Sequence, residues 1–176
     1  MRARSLASMI EEFLAARGAG DLAHPGGTLL AHLGRTRDAL ASWGARQALQ
    51  VAGLAHAAYG TDGFPHPLLS PHERPELVTL IGVEAEAIVY AYCALDRDFS
   101  YPRLLTGIVR DRFTGTSTQV DSGLLRDIVE LTYANELDVM AQSPLLRRRH
   151  AAELRLRLGS WSAYASFPAV EALERL

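Results

Sequence analysis

Apolar residues return at three- and four-residue spacing along most of this chain, a period that lets a helix bury one face. Leu6, Met9, Ile10, Phe13 and Leu14 set the pattern and predict an amphipathic helix over residues 5–17, closed by Gly18 and Gly20. After a loop carrying His24-Pro25-Gly26-Gly27, Thr28 suits the cap of a second helix that runs to Trp43 and stops at Gly44. A third is expected from Arg46 to about Tyr59, where the turn-rich stretch Tyr59 to Pro71 begins. Ser70-Pro71-His72-Glu73 is a helix start, with Ser at the cap, Pro first and Glu third. The helix it opens reaches Leu80, is interrupted at Gly82, and resumes over Val83 to Leu95. Asp121 or Ser122 caps a long helix to about Ala141, Ser143-Pro144 opens another to Leu158, and Ala169 to Leu176 makes a last short one.

One region departs from this period. Ile108, Val109, Phe113, Thr114, Thr116, Thr118 and Val120 favour strands around Gly115, which predicts a small β-hairpin at about 105–120. The expected fold class is therefore all-α: a helical bundle with a small β-hairpin insertion, one domain over 1–176, its C-terminal helices within 143–176. With 176 residues, 48% hydrophobic and 22% charged, the chain can bury a core without disulfides or a structural metal.

Composition closes off several function classes. All 18 basic residues are arginine, so Schiff-base and P-loop lysine chemistry is excluded. The net charge of −2 speaks against a nucleic-acid partner. Cys93 is alone, in an apolar run, and reads as a buried small hydrophobe. No GxSxG, GxGxxG, CxxC or HExxH pattern occurs. Glu11 and Glu12 break any secretory h-region, and the longest apolar stretch, Ala85 to Leu95, is too short for a membrane span. A cytoplasmic protein without a membrane partner is expected.

Three polar side chains fall on apolar helix faces. His32 follows Leu29 by three and adjoins Leu33; His56 shares a face with Leu49, Ala52 and Gly53; Asn135 shares one with Leu124, Ile128 and Leu131. An unpartnered buried polar group costs roughly 1–3 kcal/mol. Three of them on three helices predict a shared pocket for a small molecule.

The order His32, His56, Ala134-Asn135 resembles the skeleton of the HD-domain superfamily, all-α metal-dependent phosphohydrolases with some diiron oxygenases. The segments AGLAHAAYGT, LIGVEAEAIVY, DRFTG and ANEL resemble more closely an uncharacterised HD-like family of bacterial and fungal proteins, over residues 22–142. The resemblance implies an HD-like bundle, but two ligand positions of the superfamily are changed: Ala57 follows His56 where aspartate is usual, and Asn135 stands at the final aspartate. That implies a degenerate site without the usual metal or any other cofactor. If a divalent Fe, Mn or Zn is held, the implied set is His32, His56, Glu86 and Asn135, with Glu84, Asp62 and Asp138 as other sources of a carboxylate.

Without a metal, His32 and His56 serve as general base and acid, Tyr59 donates a proton or orients a substrate oxygen, Asp62 fixes a histidine tautomer, and Asn135 holds a carbonyl or enolate. The expected activity is acid–base chemistry on a small molecule: isomerisation, cyclisation, dehydration or hydrolysis. The alternatives are a metal-dependent HD phosphohydrolase or non-haem iron oxygenase, and a non-catalytic pseudo-HD protein binding a ligand or partner near Phe64, Pro65, Leu68 and Leu69. His24, His66 and His72 read as surface residues, and Arg147 to His150 with Arg155 and Arg157 as a solvated face. A homodimer through the C-terminal helices stays open.

Overall fold

The structure, a computed structural model, describes residues 4–176. It is mostly helical, with two small antiparallel hairpins. In order, the elements are α1 (Leu6–Ala15), β1 (Ala23–His24), β2 (Gly27–Thr28), α2 (Leu29–Ser42), α3 (Gln47–Ala55), α4 (Arg74–Ile81), α5 (Val83–Cys93) and α6 (Arg97–Ser100). Then come β3 (Ile108–Arg110), β4 (Ser117–Gln119), α7 (Ser122–Gln142), α8 (Pro144–Ser160) and α9 (Phe167–Glu174). No helix of the described residues is long and apolar enough to cross a membrane.

The helix starts follow their caps. Thr28 Oγ1 accepts from Ala31 N–H, Asp121 from Leu124 N–H and Ser143 from Leu146 N–H. Ser70 and Glu73 close a reciprocal capping box. The expected hairpin forms as β3–β4, in register Val109 with Thr118. Two elements go beyond the sequence reading: the two-residue hairpin β1–β2, which turns through Gly26 and Gly27 at positive φ, and α6 with the 3₁₀ segment Tyr101–Thr106 after it.

The third helix ends at Ala55, four residues earlier than expected. Beyond it, Ala58 and Gly60 N–H groups donate to carbonyls three residues back, and Ala58 O accepts from both Leu68 and Leu69. The returning 59–71 segment thus takes over the acceptor that a longer helix would have used. His56 becomes the C-cap of α3.

Two apolar cores share α7. The first collects Ile10, Leu14, Leu33, Leu54, Leu77 and Val89 from α1–α5, and receives Leu131 and Ala134 from α7. The second collects Leu95, Leu104, Leu154, Leu158 and Trp161, with Ile128, Val129 and Tyr133 from other faces of α7. The apolar residues of α7 thus face two ways, one set to each core.

Candidate functional site

His32 on α2, His56 at the end of α3 and Asn135 on α7 meet inside the first core. His32 Nε2 lies 3.3 Å from His56 Nε2 and 3.0 Å from Asn135 Oδ1, and His56 Nε2 lies 3.1 Å from the same oxygen. The three side chains are buried.

The far ring nitrogens settle which atoms face one another. His56 Nδ1 is 2.8 Å from Gly53 O, an acceptor only, so it carries the proton and donates. Burial, and then the neighbouring His32, push the His56 pKa down to about 3, so its Nε2 presents a lone pair. His32 Nδ1 donates to Asp138 Oδ2 at 2.6 Å. Arg35 donates to both oxygens of Asp138, at 2.7 and 3.0 Å. Burial opposes it, yet these bonds hold the Asp138 carboxyl below its ordinary pKa. Asn135 Nδ2 donates to Glu136 Oε1 at 3.1 Å, which turns its oxygen toward the rings. Two of the three converging atoms are thus acceptors, and at most one proton, on His32 Nε2, serves all three.

Asn135 is the member of this cluster that lines a cavity of about 220 Å³, together with His24, Thr61, Phe64, Arg97 and Glu136. His24 is not the free surface residue expected. Its ring stacks on His32 at 4.0 Å and meets Phe64 edge-on at 5.3 Å, because the tight β1–β2 turn folds it back over the N-terminus of α2. Burial, and then His32, lower its pKa to about 4.

The remaining sequence-selected residues sit elsewhere. Tyr59 donates to Glu86 Oε1 at 2.8 Å, and Glu86 also accepts from Arg74 Nε and Nη2 at 2.7 and 2.8 Å. Asp62 Oδ2 accepts from the Arg97 N–H at 2.9 Å. None of the three hydrogen-bonds to His32, His56 or Asn135, and Glu86, proposed as a metal ligand, is committed to Tyr59 and Arg74. Among the described residues, no group of three His, Cys, Asp or Glu is placed to hold a metal; the third donor of the histidine cluster is an amide. Cys93 is buried, as expected, and its thiol donates to His56 O at 3.1 Å.

Sequence reasoning named Asp138 only as a spare carboxylate and passed over Arg35, Arg97 and Glu136. The spacing held a signal: Asp138 follows Asn135 by three and Arg35 follows His32 by three, so each shares a helix face with its neighbour.

No curated protein matches the chain, and no solved structure does. Kinship with the HD superfamily therefore rests on the sequence motifs alone. Residues 13–97, which carry His24, His32, His56 and the wall of the cavity up to Arg97, match a family model, Domain of unknown function (DUF6817).

Proposed function

We propose that the protein is an enzyme of proton-transfer chemistry on a small molecule, built on an HD-like bundle and centred on His32, His56 and Asn135. One observation carries this reading: two imidazole nitrogens and an amide oxygen from three helices converge within 3.0–3.3 Å, with both far nitrogens pinned, beneath a cavity. So costly an arrangement of acceptors serves no packing purpose that apolar side chains would not serve better. A substrate oxygen that displaces the Asn135 oxygen meets both Nε2 atoms at once. His32, held by Asp138 and Arg35, then gives or takes the proton, and neutral His56 accepts it or orients the substrate. Asn135, turned so that its Nδ2 donates, holds the substrate's carbonyl or enolate oxygen. Isomerisation, cyclisation, dehydration and hydrolysis all fit. A cytoplasmic protein without nucleic-acid or membrane partners belongs to the same reading, with a homodimer through α8 and α9 left to be measured.

A second reading, with a divalent Fe, Mn or Zn, is favoured by the pinning itself. Metal-binding histidines characteristically donate the other ring N–H to a carboxylate or backbone carbonyl, as His32 does to Asp138 and His56 to Gly53. Ligand atoms about 2.1 Å from one ion stand roughly 3.0–3.4 Å apart, which the cluster's spacing suits. His32, His56 and Asn135 would hold the ion, and it would supply Lewis-acid activation of a water or substrate oxygen.

Elemental analysis of tag-free protein, beside a His32→Ala/His56→Ala double variant, separates the two. No bound metal, with His56→Gln folded but inactive on substrates found by thermal-shift screening, supports the first. One equivalent in the wild type and none in the double variant supports the second. Ligand binding unaccompanied by any turnover would leave a pseudo-enzyme and overturn both.

A further inference from the structure

The β3–β4 hairpin has an inner face that the rest of the fold does not fill. Opposed residues of an antiparallel pair share a face and successive ones alternate. Val109 and Thr118, which pair, therefore point the same way, with Thr116 and Val120 two positions to either side of Thr118. That face looks onto Ala91 and Ala94 of α5 and Leu124 of α7 across a cleft of about 400 Å³. Protein interiors leave few voids larger than a water, and this volume falls within the roughly 300–1,000 Å³ of small-molecule sites. The cleft shares no lining residue with the cavity that Asn135 lines. Its two alanines, one turn apart, present only methyl groups to the hairpin. The hairpin is fastened to α5 at its turn end: Tyr90 donates to Asp111 Oδ2 at 2.7 Å, Arg112 N–H to Ala94 O at 2.7 Å and Arg112 Nε to Cys93 O at 2.8 Å. A two-stranded hairpin gains little stability alone, so a guest in the cleft supplies packing that the inner face lacks.

Charge restricts the guest. Two charged residues, Arg110 and Asp111, belong to the wall. Asp111 is fully engaged, Oδ1 accepting from the Phe113 and Thr114 N–H groups at 2.7 and 3.2 Å and Oδ2 from Tyr90. Arg110 follows Val109 and alternates to the outer face, where its guanidinium lies 3.7 Å over the Phe99 ring and 3.8 Å from Asp96. Neither supplies a counter-charge inside the cleft, and an ion taken from water into it would go unpaired. The polar groups that remain are the hydroxyls of Thr116 and Thr118, on exposed residues and without a hydrogen-bond partner among the described residues. Each can donate or accept. The volume of about 400 Å³ is that of about thirteen waters at ~30 Å³ each, room for a two-ring molecule.

We infer that this cleft is a ligand site separate from the histidine cluster, taking a neutral, mainly apolar molecule of two-ring size that carries one hydroxyl or carbonyl for Thr116 or Thr118. It stands or falls independently of the activity proposed above.

The test titrates the full chain with 2-naphthol, naphthalene and 2-naphthoate, which share one ring frame, following the ¹³C-methyl signals of Val109, Thr116, Thr118 and Leu124. 2-Naphthol should shift these methyls and few others. Naphthalene should bind several-fold more weakly for want of one hydrogen bond, and 2-naphthoate at least tenfold more weakly than 2-naphthol. Thr116→Val/Thr118→Val keeps side-chain shape and strand preference, and should bring 2-naphthol down to the level of naphthalene while leaving naphthalene unchanged. Ala91→Leu fills the cleft and should remove binding of both without lowering stability. If Ala91→Leu fails to fold, Thr118→Leu blocks the cleft from the exposed strand instead. No shift of these methyls, shifts spread over the whole molecule, naphthalene or 2-naphthoate binding as tightly as 2-naphthol, or binding that survives the filled cleft overturns the inference. Concentration-dependent shifts of the same methyls without ligand would give the cleft to a second copy of the chain, and overturn it as well.

Discussion

At Glu86 a carboxylate only 2% exposed receives a phenol and two guanidinium N–H groups, so acceptors and donors balance. Arg74 in turn lies over Tyr90, whose hydroxyl donates to Asp111, and the network ties α4 and α5 to the β3–β4 insertion. At His32, His56 and Asn135 the supply runs the other way. Acceptors crowd together, donors are short, and a neighbouring ring nitrogen has no partner. Both networks bury polar groups in the first core. The balanced one is what a strut requires; the under-supplied one is what the proposed function would draw on. Burial of a polar side chain thus says little about its role until donors and acceptors are counted.

The largest expected effect separates the two by pH. In metal-free protein, the His56 pKa falls from 6.5 to about 3 on folding, so below about pH 6.5 the unfolded chain binds the proton first. Stability is therefore complete above that pH and is lost as pH falls toward 3, at up to about 1.4 kcal/mol per unit. Urea unfolding at stepped pH should show this slope on top of the shorter one from His24, whose pKa falls to about 4, and His56→Gln should remove its own share and leave that of His24 while Glu86→Gln changes neither. A slope unchanged in His56→Gln would place the titration elsewhere.

Next in size is Glu86→Ala, which strands the Tyr59 hydroxyl. It should cost about 1–3 kcal/mol for the buried Tyr59 hydroxyl left unpaired, while the Arg74 head, 37% exposed, turns to solvent. A loss below about 1 kcal/mol, measured by denaturant, would remove the strut from the comparison. Asn135→Asp supplies a carboxylate between the two rings. Zinc or manganese at a hundredfold excess over its Kd should then stabilise the variant by about 2.7 kcal/mol, and the wild type by less. Equal thermal shifts for both proteins would show that the amide is no handicap to a metal. The smallest change is expected for Asp138→Asn, about 1–2 kcal/mol, since the amide oxygen still accepts from one of His32 and Arg35. Its mark should be on the His32 ring signals, seen by ¹⁵N spectroscopy, more than on the melting temperature.

How legible this was from the chain depended on the kind of signal. The long helices and their caps could be read because apolar period and cap chemistry agree at Thr28, Ser70, Asp121 and Ser143. His32, His56 and Asn135 stood out as polar intrusions on apolar stripes, and they do meet. Tyr59 and Glu86 were singled out by the same logic, but periodicity gives a residue's face and not its partner, and Arg74, which claims Glu86, lies at a helix start that reads as solvent. His24 could not be found this way. A two-residue strand has no period, and its ring is placed by a turn whose glycines look like any loop. The early end of α3 was hidden for a related reason: the acceptor at Ala58 is claimed by Leu68 and Leu69, ten and eleven residues away in sequence.

The double membership of α7 bears on where this protein can be cut. Its Leu131 and Ala134 complete the first core, while Asn135 and Asp138 complete the histidine cluster from the same helix. A fragment ending at residue 97 would keep both histidines yet leave His32 without its carboxylate and the core without a wall. The span that matches the family model shares its core and its histidine cluster with α7, and proteolysis between α6 and α7 should release a piece that no longer holds its shape.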